Sequence, residues 1–147
     1  MIQLLNQFLH QSIPITKDMG LIIDKISESK LKLKAPLENN INDKGSVFGG
    51  SSSALMIIAA WSLIKIKCDE HDINADIVIH KNETVWHKAL YSDLIIEAEF
   101  KQEYDFEEVK KSIDNNRHQR IDCRIVLKDS DENKFSTMQA KYVIIPK

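Results

Sequence analysis

Between positions 44 and 64 the chain reads KGSVFGGSSSALMIIAAWSLI, and from Ala54 to Ile64 only Ser62 interrupts an apolar run. Elsewhere the apolar residues keep a period. Leu4, Leu5, Phe8 and Leu9 recur at helical spacing, which predicts a short amphipathic helix ended by Pro14. Over residues 19–37, Leu31, Leu33 and Ala35 alternate with lysines, predicting two short strands or one bent one, closed by Pro36. ENNINDKGSVFGG is then a loop dense in Asn, Asp and Gly, and a helix from about Ser51 to Cys68 follows.

From Ala75 onward the period becomes two. Ile77 and Ile79 share one face; Leu94, Ile96, Ala98 and Phe100 lie opposite Ile95, Glu97 and Glu99. Ile121, Cys123, Ile125 and Leu127 alternate with Arg120, Asp122 and Arg124. Residues 105–116 predict a small helix, with Asp105 as N-cap, Glu107 and Glu108 in the first turn and lysines later. The last two strands, joined by DSDENK, read as a hairpin. The pattern is that of one antiparallel α+β domain over residues 1–147, with strands on either side of a single long helix. A helix apolar all round must be covered all round, so this one requires a strongly curved sheet or a second subunit.

Composition narrows the function classes. With 147 residues the chain can bury about two-thirds of its unfolded surface. Its 43% hydrophobic and 29% charged residues are those of an ordinary globular protein. A net charge of −2 argues against nucleic acid as a partner. The N-terminus lacks the basic start and small-residue cleavage site of a signal peptide. The apolar run falls short of the ~20 residues a bilayer requires, so no membrane span is expected. Cys68 and Cys123 fit no CxxC or zinc spacing and are expected to be reduced, packed thiols. His10, His71, His80, His87 and His118 form no metal-ligand pair, and neither a metal nor a cofactor is implied. A cytoplasmic location is expected.

Three of the four glycines, Gly45, Gly49 and Gly50, precede the long helix. Their spacing resembles a phosphate loop, but the lysine that must follow is missing; GxGxxG and GxSxG are also absent. Ser51 to Ser53 are placed to cap the first turn. The segment is either a tight packing turn or a set of backbone donors for a carbonyl oxygen at the positive end of a helix.

APLENNINDKGSVFGGSSSALMIIAAWSLI resembles the signature of a putative thioesterase family with a hotdog fold, whose domain often follows an N-acetyltransferase domain. The matching features are the Pro-Leu strand end, Asn40 and Asn42, Gly45, Phe48-Gly49-Gly50-Ser51 and a helix carrying Trp61. The resemblance implies a curved sheet around the helix, a homodimer or homotetramer with sites at the subunit interface, and acyl thioesters of coenzyme A or acyl carrier protein as substrates. It further implies that a Gly50 or Ser51 amide holds the thioester oxygen and that Asn42 positions the attacking water or the carbonyl. Asn40, Phe48 and Gly49 are the implied substrate contacts. Related hotdog enzymes carry an acid on the helix where this chain has Ile57. Asp43 or a residue of a second subunit is therefore expected to take that role; otherwise the chain binds acyl thioesters without hydrolysing them. His80 and His87 are further proton-transfer candidates, and Arg117, Arg120, Arg124 and Lys128 form a stripe that suits phosphates or an acidic carrier, or else a solvated sheet face.

Overall fold

In the computed structural model, which describes residues 1–147, helix α1 (Ile2–Ser12) and the single turn α2 (Ile15–Asp18) precede strands β1 (Ile22–Ile26) and β2 (Lys30–Ala35). A 3-10 turn at Leu37–Asn39 leads through a loop into α3 (Gly49–Glu70). The chain continues as β3 (Ala75–Trp86), β4 (Leu94–Phe100), α4 (Phe106–Asp114), β5 (Gln119–Lys128) and β6 (Lys134–Pro146). Pro14 ends α1, as expected, and also starts α2, which the apolar pattern did not announce. Asp105 caps α4 as predicted, its Oδ1 accepting from the Glu107 amide at 3.0 Å.

All six strands form one antiparallel sheet in the order β1-β2-β4-β5-β6-β3. α3 touches β2, β3, β4, β5 and β6, so the sheet curls around it. The sheet covers most of the helix, leaving one stripe through Ala54, Ile57 and Trp61 half-buried. Leu55, Met56, Ala59, Ala60, Leu63 and Ile64 are fully buried, and the two alanines are small enough to let strands come close. At 22 residues α3 is longer than its apolar run, and by length and composition it could cross a bilayer. Its burial inside the sheet, not its length, marks it as a core helix.

In its middle turns, two side chains tie the helix to the sheet. The Trp61 indole N–H donates to the Ile77 carbonyl on β3 (2.9 Å), and the Tyr142 hydroxyl of β6 donates to the Ile57 carbonyl. Burial drives the Tyr142 phenol well above its ordinary pKa, which keeps it a donor. The convex face of the sheet is charged and internally paired. Lys32 and Lys128 meet Glu97, while Lys30 and Arg124 meet Glu99. β3 is an edge strand: within the chain only β6 pairs with it.

Candidate active site at the start of α3

The loop entering α3 is held by its own asparagines. Asn42 Oδ1 accepts from the amides of Lys44 (2.9 Å) and Ser46 (3.1 Å), and its Nδ2 donates to Ser46 Oγ (2.9 Å). That is the geometry of an Asx turn, closed by Gly45 in the left-handed region at φ +84°. Asn40 is buried and donates to the carbonyls of Met19 (2.9 Å) and Pro36 (2.8 Å), leaving its Oδ1 unpaired. The Asn40 carbonyl receives the Phe48 amide (2.7 Å), and Val47 donates to the Leu90 carbonyl (2.9 Å). Asn40 thus fastens the loop to the end of α2 and the end of β2, Asn42 closes it on itself, and Val47 ties it to the segment after β3. This bonding gives both asparagines a positioning task.

Phe48 is the N-cap in extended conformation, and no side chain caps the helix. The first helical bond runs from Ser52 N–H to the Phe48 carbonyl (3.0 Å), so the amides of Gly49, Gly50 and Ser51 have no acceptor in the chain. The expected serine cap is not formed. Ser52 Oγ instead donates to the Gly49 carbonyl (3.0 Å) and accepts from the Trp86 indole (3.1 Å) at the end of β3. Three aligned, unfilled N–H groups carry about half a positive charge at this point.

Two aromatic rings frame these amides. The Phe48 ring folds back over Gly50, where a Cβ would sit 2.5 Å from a ring carbon. The Trp86 indole lies against Gly49, its nitrogen 3.5 Å from where a Cβ would be. Phe48 and Trp86 are both more than half exposed, and Ile41 and Val85, close to them in sequence, are exposed too. Beside the helix start is a cavity of about 330 Å³ lined by Ser46, Ser52, Trp86, Leu127 and Ser136 among others, with no carboxylate or imidazole on its wall. Asp43 projects into solvent, 80% exposed, and pairs with Lys44 at 2.9 Å. Ile57 is half-buried, and the first acid of α3 is Asp69, near its far end.

The remaining candidates lie elsewhere. His80 is exposed on β3 where the pairing with β6 shifts register, and the exposed His87 meets Thr137 Oγ1 at 3.0 Å. Arg124 and Lys128 face the Glu99 and Glu97 carboxylates, so much of the predicted basic stripe is neutralised from the neighbouring strand. Arg117 and Arg120 are exposed. Sequence reasoning missed Trp86, Ser52, Leu127 and Ser136. Only the register that sets Trp86 opposite Ser136, and Ser136 opposite Leu127, brings them together.

Solved structures share this architecture over nearly the whole chain. A putative thioesterase from Shewanella oneidensis matches with a TM-score of 0.87 at 20% identity, covering 99% of this chain and 97% of the other. A protein of unknown function from Chlorobaculum tepidum matches with a TM-score of 0.88 at 24% identity, covering 99% and 94%. A probable thioesterase from Pseudomonas aeruginosa matches with a TM-score of 0.77 at 15% identity, covering 99% and 95%. The common form, a curved antiparallel sheet around a long central helix, is the hotdog fold. No curated protein sequence matches the chain. The family model described as Putative thioesterase (yiiD_Cterm) matches residues 2–146, and the chain belongs to that family.

Proposed function

We propose that the protein hydrolyses acyl thioesters of coenzyme A or acyl carrier protein, with the thioester carbonyl seated on the Gly50 and Ser51 amides. The observation that carries this reading is the uncapped start of a 22-residue helix, with three free amides, in a chain of the thioesterase family. Donors aimed at developing negative charge are worth about 10²–10³ in rate each. Water adds to the carbonyl carbon, the C–S bond breaks, and the thiolate takes up the proton the water gives away. Asn42 holds the loop in register with the amides; Asp43 is turned into solvent against Lys44, so the group that takes the proton of the attacking water is assigned to a second subunit. Phe48 and Gly49 form the entrance.

The site lies beside the open edge of β3, and we assign the protein as a homodimer paired along that edge. Val78, Val85 and Trp86 of β3 are exposed, and Ala54, Ile57 and Trp61 of α3 are only half-buried. A second copy would cover both sets and bring its own side chains toward the free amides. The cytoplasm, where coenzyme A thioesters are used, suits the two unbridged cysteines.

A second reading, an acyl-thioester binding module without turnover, is favoured by the absence of any acid on the first five turns of α3. Thiol release from a panel of acyl-CoA and acyl-carrier-protein substrates separates the two. The hydrolase reading expects turnover that falls at least tenfold in Asn42→Ala; tight acyl-CoA binding with no release above background establishes the binding module instead.

A further inference from the structure

The cavity beside α3 has a floor made by three strands. Trp86 of β3, Ser136 of β6 and Leu127 of β5 are register partners and form one row across the sheet. Gly49 and Ser52 close the cavity from the helix side, and Val47 and Leu90 add apolar wall. Lys88, at the rim, is turned onto the Phe135 ring, 4.8 Å from its centroid.

The hydroxyls in this wall differ in what they bind. Ser52 is fully engaged by the Gly49 carbonyl and the Trp86 indole. Ser46 accepts from Asn42. Ser136 is 1% exposed and lines the cavity, yet no group in the chain pairs with its hydroxyl. Its inward neighbours along β6, Met138, Ala140, Tyr142 and Ile144, are all core residues. Packing alone therefore gives no reason for a hydroxyl at this place. A hydrocarbon acyl chain filling the cavity would strip water from Ser136 and leave it unpaired, which is unfavourable; an acyl group with its own oxygen would pair with it.

We infer that this cavity seats the acyl group, and that Ser136 selects short acyl groups carrying a hydroxyl or keto oxygen over plain hydrocarbon ones. The inference rests on the thioester reading of the helix start. Val47, Leu90 and Leu127 enclose the carbons, the Gly50 and Ser51 amides take the thioester oxygen, and Ser136 takes the second oxygen. The volume of about 330 Å³ stands near the lower end of small-molecule sites and suits a short acyl group.

Calorimetry with hydrolysis-inert analogues of butyryl-CoA and 3-hydroxybutyryl-CoA, a methylene inserted between sulfur and carbonyl, tests this directly. The wild type is expected to bind the hydroxylated analogue about tenfold more tightly. Ser136→Ala, which removes one oxygen, is expected to erase the difference and to bind the butyryl analogue at least as well. Equal binding by the wild type, a preference that survives Ser136→Ala, or no binding of either analogue overturns the inference. Thiol release run alongside keeps the two readings apart. A binding preference without release removes hydrolysis but leaves the acyl site, whereas release with no preference for oxygenated acyl groups leaves hydrolysis and removes the role of Ser136.

Discussion

The two ends of α3 are built on opposite plans. At the C-terminal end every group is answered. Lys67 is buried between Glu70 and Glu28, each 3.1 Å from its ammonium, and Lys65 meets Asp69 at 2.7 Å. The capping His71 amide returns to the last turn, and its ring lies 2.8 Å from Glu107 on α4. Cys68 is sealed in, its thiol pushed up to about 12 by burial first and by the nearby Asp69 charge second. At the N-terminal end three amides are bare, no side chain caps them, and two aromatic rings stand half in solvent. A helix of this length needs only one end and its flanks to be stable. The other end is released from that duty and can meet a ligand.

Substitutions test the contrast. Leu63→Ala, at a fully buried position in the second half of α3, should cost about 3 kcal/mol through lost contact and a residual cavity. A loss of unfolding free energy under about 1 kcal/mol in chemical denaturation would mean that this half is not the anchor. Lys67→Met should change stability little at neutral pH, because both carboxylates can return to water while a hydrophobic side chain takes the buried site.

The pH response of that variant should differ more clearly. Burial alone would lower the Lys67 pKa, but the hydrogen bonds and charges of Glu70 and Glu28 outweigh it and hold the ammonium above its ordinary 10.5. A folded-state value raised in this way contributes stability that is complete below pH 10.5 and is lost as pH rises through the folded value. Wild-type melting temperature should therefore fall more steeply than that of Lys67→Met once pH rises above 10.5, while the two curves run together below it; parallel curves throughout would sink this account. The smallest effect belongs to the open end. Gly49→Pro places proline at the first helical position after an extended residue, and its Cβ would meet only the Trp86 indole at ordinary distance. Stability should stay within about 1 kcal/mol of wild type, and a larger loss in chemical denaturation would show that the Gly49 amide is structurally committed.

Much of the fold could be read from spacing alone. The alternation in β2, β4 and β5, the Asp105 cap and the all-round apolarity of α3 each reflect forces that act between near neighbours or on one face. What stayed hidden depends on partners far along the chain. Asn42 looked like a residue turned toward a substrate, but its amide closes a turn onto Ser46, and no spacing rule distinguishes those two uses. Ser51 to Ser53 looked like caps; the one that matters, Ser52, is drawn away by Trp86, 34 positions later. Arg124 and Lys128 looked free because Glu97 and Glu99 belong to another strand. Ser136, in a hairpin strand whose inward face is otherwise core, gave no local sign at all.

The place of β3 in the sheet also sets when it can find its partner during synthesis. Its only partner within the chain is β6, the last of the six strands in chain order. Until residues 134–146 have left the ribosome, α3 has only a partial wall and β3 has no strand to pair with. Until then the nascent chain carries a long apolar helix and an unpaired twelve-residue strand. Non-local pairing of this kind slows folding and leaves sticky surface open meanwhile. The same edge proposed to join two mature copies is therefore, for a growing chain, the stretch that most needs a chaperone.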